Sequence, residues 1–219
     1  MAQNNLKEEI RGVLQKKFID LVGFTTVPDK QKYPPIDVLE AKTPHDVMPD
    51  AKSVIVYGKA LLDSERDVWA VFSSREGDHY SALYGRLIDA GYSLILLLKE
   101  KGYEAQHYRA HYLKFFASQA GLGCLGKNRL VITPQFGPRI RLWGVLTDAV
   151  LEPDEAFTED LCINCSKCLT ACPVQALTEH GFNRKRCWDN VFSNLKWMKP
   201  GIYTWCSACL DACPVGATG

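Results

Sequence analysis

Cysteine is the residue type whose spacing here most plainly prescribes chemistry. Cys162, Cys165, Cys168 and Cys172 spell C-x2-C-x2-C-x3-C and run into Pro173; Cys206, Cys209 and Cys213 repeat the tail of that pattern and run into Pro214; Cys187 stands between. A cubane iron–sulfur cluster needs four thiolates converging from one tight turn and one remote segment, which a C-x2-C-x2-C run plus a distant C-P supplies. In the two-cluster arrangement the fourth cysteine of each run serves the cluster of the other. Cluster one then takes Cys162, Cys165, Cys168 and Cys213, and cluster two takes Cys172, Cys187, Cys206 and Cys209. Zinc sites also use C-x2-C pairs, but rarely three cysteines at successive two-residue gaps with C-P endings. Disulfides suit the chain less, because its N-terminus does not resemble a signal peptide and cytosolic thiols stay reduced. Cys124, the ninth cysteine, has no partner in this arithmetic and reads as a small buried residue.

These cysteines must be positioned by something larger. The periodicity predicts a first helix capped near Asn4 or Asn5, with Leu6, Ile10, Val13, Leu14, Phe18, Leu21 and Val22 on one face and Gly23 ending it. A proline-rich loop follows, then a buried strand over 53–61, and a long helix over 79–101 stopped by Gly102. Residues 103–109 read as a strand, 111–120 as a helix, and 130–133 with 139–147 as a strand pair joined through Pro134, Phe136 and Gly137. Residues 148–160, with Pro153 and several acidic side chains, mark a linker. The expected organisation is an α/β (α+β) core over 1–157 and a small two-cluster ferredoxin-like domain over 158–219.

Gly121, Gly123 and Gly126 form G-x-G-x-x-G, yet the order around them is helix first and strand after, the reverse of a dinucleotide site. A glycine-stopped helix and a tight loop is the better reading, and such a loop permits close backbone approach to a bulky ligand.

The stretch from Ala120 through Gly121, Gly123, Cys124, Gly126, Lys127 and Asn128, then residues 130–134, Gly137 and 145–148, leading into the cysteine framework, resembles the epoxyqueuosine reductases. These are relatives of the corrinoid-dependent reductive dehalogenases. The segment Pro44–Pro49 with the strand after it is also similar. The resemblance implies a nitroreductase-like core that binds cobalamin base-off beside the two-cluster domain, the clusters passing single electrons to cobalt. It places corrinoid contacts on the three glycines, Lys127, Asn128, Leu130, Val131 and Thr133, with Asp189, Ser207 and Ala208 as further contacts beside the cluster-two ligands. The proton-donating aspartate of that family falls on His107. An imidazole either replaces the acid near neutral pH or serves as a hydrogen-bonding strand residue.

Two functions stay open. One is a corrinoid-dependent reductase acting on a small-molecule substrate; the other is an electron-transfer protein that relays electrons through two 4Fe-4S clusters to a partner. Both call for a low-potential donor of ferredoxin or flavodoxin type, for which Arg184, Lys185 and Arg186 offer a docking patch. Net charge is +1 and the helical repeats that end many epoxyqueuosine reductases do not follow the second cysteine run, which speaks against a tRNA substrate. His45, His79 and His180 follow loop signals and read as surface or cap residues. Trp188, Trp197 and Trp205 are expected to shield the clusters from solvent. With no apolar run long enough to cross a bilayer, a cytoplasmic protein is expected.

Overall fold

The apolar run assigned above to one helix divides into a helix and a strand. The computed structural model describes residues 2–36, 41–61, 68–70, 82–162, 164–193, 196–199, 202–204 and 206–216. Helix α1 spans Ala2–Lys16 and strand β1 spans Leu21–Thr26. Ile10 and Leu14 are buried, whereas Phe18 adopts positive φ and is 78% exposed. Pairing explains the switch. Val22, Thr25 and Thr26 favour extended backbone, and β1 lies antiparallel along β2 (Ser53–Ala60), from Leu21 opposite Gly58 to Thr26 opposite Ser53. Gly23 therefore does not end a helix; a side chain there would strike the carbonyl of Ala120.

The remaining elements follow in chain order: α2 (Pro44–Val47), β3 (Val68–Ala70), α3 (Ala82–Glu100), β4 (Ala105–Tyr108), α4 (Leu113–Gln119), β5 (Cys124–Leu125), β6 (Val131–Ile132), β7 (Ile140–Thr147), α5 (Lys167–Ala171), β8 (Leu177–Thr178), β9 (Gly181–Phe182), α6 (Arg184–Ser193), β10 (Lys196–Lys199), β11 (Ile202–Thr204) and α7 (Ala208–Asp211). His79, Leu195 and Trp205 lie outside the described residues, as does the side chain of Trp197. No helix among the described residues is long and apolar enough to cross a membrane.

The chain forms two units, and neither is a single stretch of sequence. The first comprises residues 1–59, 86–124 and 141–159; the second comprises 60–85, 125–140 and 160–219. The cysteine-bearing unit joins residues 160–219 with two earlier segments of the chain.

In the first unit a four-stranded sheet runs in the order β1-β2-β7-β4. Val54, Ile55, Val56 and Tyr57 of β2 are all buried, so both faces of that strand are covered. Leu87, Ala90, Leu94 and Leu98 give α3 one continuous buried stripe. The expected pairing of 130–133 with 139–147 does not form. The two-residue β6 pairs with β5 across the glycine loop, while β7 inserts between β2 and β4; a single bridge, Thr133 to Gly137, is what remains of the expected hairpin. The eight-residue, largely buried β7 gains two neighbours by entering the main sheet, which a hairpin with β6 could not provide.

The expected linker is stitched to the first unit. Asp154 accepts hydrogen bonds from Lys7 Nζ at 2.7 Å and from the amide of Phe24 at 3.0 Å, and its own amide donates to the Phe24 carbonyl. Farther on, the amide of Phe157 donates to the carbonyl of Ser118. Acidity here is a docking device, since one carboxylate holds both α1 and β1. In the second unit β10, β11 and β3 form a three-stranded sheet, β8 and β9 a short ladder, α5 packs on α7, and Leu61, Leu130 and Leu210 pack together.

Candidate cofactor site

All eight framework cysteines lie in the second unit, on short elements that turn sharply. The amide of Cys162 donates to Asp160 at 2.8 Å, the amide of Cys165 donates back to the Cys162 carbonyl, and Asn164 takes positive φ between them. Asparagine tolerates that conformation better than most residues. Cys168 then enters α5 and Cys172 ends it, while Cys187 is carried by α6. Cys206 precedes α7, Cys209 lies within it, and Cys213 follows it.

None of the nine cysteines forms a disulfide, and several of the eight act on one another electrostatically. Burial pushes the thiol of Cys168 up, and Cys162, Cys165 and Cys213 push it further. Burial likewise raises Cys213, with Cys162 and Cys165 again adding to the rise. The thiol of Cys209 is pushed up to about 12 by burial, then by Cys206 and Cys187, and beyond them by Cys168 and Cys172. Cys162, Cys165, Cys168 and Cys213 thus act on one another, Cys187 and Cys206 act most strongly among the cysteines on Cys209, and Cys168 and Cys172 both reach Cys209 from the first run. Mutual repulsion of this kind asks for a multivalent cation to neutralise it. A single zinc draws its sulfurs to about 2.3 Å from one centre, whereas a cubane takes each sulfur on a separate iron. Three cysteines at successive two-residue gaps with a remote C-P suit the latter.

Cys172 differs from the others. Burial alone would raise it, but the amides of Val174, Ala176, Leu177 and Gln175 outweigh burial and pull its thiol down. The amide of Ala176 donates to Sγ at 3.2 Å. The backbone after α5 therefore folds as a nest of donors around one sulfur.

Sequence reasoning missed Arg139. Its guanidinium donates to the carbonyl of Cys213 at 2.9 Å and to that of Val215 at 3.1 Å. Gly137, at φ +54°, lies so close to Val215 that any side chain would strike its carbonyl, and Gly216, at φ +64°, stacks on the backbone of Phe136. No local pattern around Arg139 announces this role, because its partners are backbone carbonyls more than seventy residues away.

The glycine loop serves its own fold first. A side chain at Gly126 would collide with Ile132 and Asn128, and one at Gly121 would meet the Glu155 carbonyl. Asn128 is buried; it accepts from the Leu130 amide at 3.1 Å and donates to the Cys209 carbonyl at 3.4 Å, tying the loop to the second cysteine run. Thr133 is buried and bonded to Gly137, and Val131 is buried with it. Lys127 pairs with Glu179 at 3.7 Å, Ser207 donates to Asp211, and Asp189 pairs with Lys185 on an exposed face of α6. Leu130 is half-buried, and Ala208 opens α7. At the loop tip Leu125 remains 51% exposed beside Gly126.

His107 lies in the first unit on β4, opposite Val145 of β7. Its ring stands edge-on to Tyr92, with centroids 4.6 Å apart, and Nδ1 is 3.0 Å from the indole nitrogen of Trp143. An indole can only donate, so Nδ1 accepts and the proton of the neutral ring sits on Nε2. Nε2 is buried with no hydrogen-bond partner among the described residues. Burial lowers the imidazole below its ordinary value. The strand ends at Tyr108, so Arg109 and His111 do not continue the face of His107. His45 bonds the Pro49 carbonyl at the exposed end of α2, and His180 is exposed in the β8–β9 turn.

Trp188 is 41% exposed and stacks on Phe192, itself 61% exposed, at a centroid distance of 5.4 Å. The two are four apart on α6 and share its outer face.

A 4Fe-4S binding domain matches residues 156–177. The chain is 28% identical over 210 residues to the epoxyqueuosine reductase of Bacillus subtilis, covering 83% of this chain and 54% of that one. It is 37% identical over 100 residues to a tetrachloroethene reductive dehalogenase of Desulfitobacterium hafniense, covering 43% of this chain and 18% of that one. Among solved structures, a Bacillus subtilis epoxyqueuosine reductase superposes with a TM-score of 0.73 at 24% identity, over 98% of this chain and 66% of that one. A reductive dehalogenase studied for B12-dependent dehalogenation gives 0.71 at 18%, over 96% and 32%. The chain thus spans about half the length of its first curated relative. It has the mixed α/β fold of these proteins, carries a 4Fe-4S motif, and is homologous to both epoxyqueuosine reductases and reductive dehalogenases.

Proposed function

We infer that this chain is an iron–sulfur reductase of corrinoid type, with two 4Fe-4S clusters and a nitroreductase-like core. The observation that carries the reading is that the two distant cysteine runs meet in one unit, with Cys213 acting on Cys168, and with Cys206, Cys187, Cys168 and Cys172 acting on Cys209. Cys162, Cys165, Cys168 and Cys213 hold one cluster, and Cys172, Cys187, Cys206 and Cys209 the other. Clusters and corrinoid, when bound, supply one-electron transfer and a reducing metal centre. The exposed Leu125 between Gly123 and Gly126 suits an apolar macrocycle edge, approached by backbone at Gly121 to Lys127. Asn128 and Thr133 contribute by holding the loop in shape, since their side chains already have partners.

In this reading Nε2 of His107 is the atom that holds a proton toward substrate. An orphaned buried donor costs about 1–3 kcal/mol, and Trp143 fixes the tautomer that presents it. The substrate class is a small organic molecule. tRNA is the second reading: an epoxyqueuosine reductase has been solved with an epoxyqueuosine-modified tRNA stem loop, and here the stacked Trp188 and Phe192, beside Arg184 and Arg186, offer a basic aromatic surface to bases. A low-potential ferredoxin or flavodoxin supplies the electrons.

Anaerobic reconstitution with iron, sulfide and cobalamin, followed by removal of free cofactor, tests the reading. Wild-type protein should retain corrinoid absorbance, and Gly123→Phe should lose it at unchanged iron content. Full iron with no corrinoid uptake would replace the reductase by an electron relay.

A further inference from the structure

Arg139 donates to the backbone of the second cysteine run from a turn that is itself locked. Gly137 and Gly216 let residues 133–139 pack against residues 213–216 so closely that a side chain at either glycine would strike the facing backbone. The guanidinium is consequently held in place beside Cys213, by two carbonyls on one side and by the bridge from Thr133 to Gly137 on the other. Arginine stays charged at every accessible pH.

The nearby charges are few. Asp160 faces the Cys162 amide, and Lys167 extends from α5 into solvent. Near the cysteines of the second proposed cluster Arg186, on α6 beside Cys187, reaches the Val174 carbonyl at 3.5 Å from an exposed position. The cation with two hydrogen bonds to the Cys213 turn is Arg139.

We propose that Arg139 is a positioning residue that raises the reduction potential of the cluster held by Cys162, Cys165, Cys168 and Cys213. The proposal rests on the two-cluster reading above and is independent of corrinoid binding. Reduction adds one electron to the cluster from an external low-potential donor, and no proton moves with it. The added negative charge is attracted to a guanidinium that cannot move away, so the reduced form is stabilised over the oxidised one. The same guanidinium holds the Cys213 carbonyl, which keeps that thiolate with Cys162, Cys165 and Cys168.

The test is an anaerobic redox titration followed by electron paramagnetic resonance, with iron and sulfide counted on the same samples. Arg139→Gln keeps a donor but not the charge, and Arg139→Lys keeps the charge but not the fork. In Arg139→Gln, at full iron, one cluster should titrate at a more negative potential and the other at its wild-type value, and Arg139→Lys should restore most of the shift. Two unmoved potentials in Arg139→Gln at full iron would overturn the proposal. If Arg139→Gln loses iron, Arg139→Lys decides: full iron at wild-type potentials supports a role for the charge, and loss of iron there too leaves only a clamp and overturns it. Wild-type protein that holds one cluster or none would instead sink the two-cluster reading, a result the iron count reports separately.

Discussion

Trp143 donates its indole N–H to Nδ1 of His107 at 3.0 Å, and this one bond decides which imidazole nitrogen bears the proton. Burial depresses the folded-state affinity of that ring for a second proton. The unfolded chain, with an ordinary histidine, binds one as pH falls through about 6.5, so the unfolded state then holds more protons and stability drops. Above that pH the contribution is fully present. Melting temperatures at about pH 7.5 and about pH 5.5 should differ more for wild type than for His107→Gln. An equal difference would place the acid sensitivity elsewhere.

Asp154→Ala should destabilise the first unit by about 1.5–3 kcal/mol, the range for hydrogen bonds to a charged group. It removes the acceptor of Lys7 and of the Phe24 amide together. Asp154→Asn retains an acceptor and should recover part of the loss. Urea denaturation of the three proteins measures it, and a difference within error between wild type and Asp154→Ala would mean the segment is held by its backbone bonds alone.

Wild-type protein reconstituted without oxygen should contain about eight irons, four per cubane. Cys187→Ala should lose about half of them, because a cubane short of one thiolate is labile. Cys124→Ala should lose none, since that thiol figures in neither proposed set of four. Atomic emission measurement of iron separates the outcomes, and equal loss in both variants would assign Cys124 a place in the site.

Gly137→Ala should lower both the melting temperature and the iron content. The residue combines positive φ with the Val215 carbonyl directly in the path of a side chain, and left-handed strain alone costs of order 1–3 kcal/mol. Gly181→Ala, at a position with open space around it, is the control and should change neither quantity. Unaltered iron in Gly137→Ala would show that the Cys213 turn tolerates displacement.

A 4Fe-4S motif was legible in the sequence because ligand spacing is a local, nearly discrete code. The buried stripes of α3 and β2 were legible for a related reason: period and burial coincide there. Residues 21–22 were not, because Leu21 and Val22 fit a helical face as well as they fit a strand, and only the partner β2 decides between them. The same holds for residues 130–147. Turn residues at Pro134 and Gly137 do form a turn, but whether β7 pairs with its neighbour in sequence or enters a distant sheet is a matter of what else is available to bury it. Asp154 looked like linker composition, since a carboxylate that docks and a carboxylate that is merely solvated are the same letter. Arg139 acts on carbonyls, which every residue carries, and so left no trace.

The interleaving of the two units bears on how such a redox part can be inherited. A fragment beginning at residue 158 would carry every framework cysteine, yet it would lack Arg139 on the Cys213 carbonyl, Asn128 on the Cys209 carbonyl, and Leu61 and Leu130 beneath Leu210. The ligands are contiguous in the gene while their supports are scattered through it. Recombination that moved the cysteine run alone would transfer the cysteines without the scaffold that aims them, so this part can be passed on or grafted only together with the earlier segments of its own unit, 60–85 and 125–140.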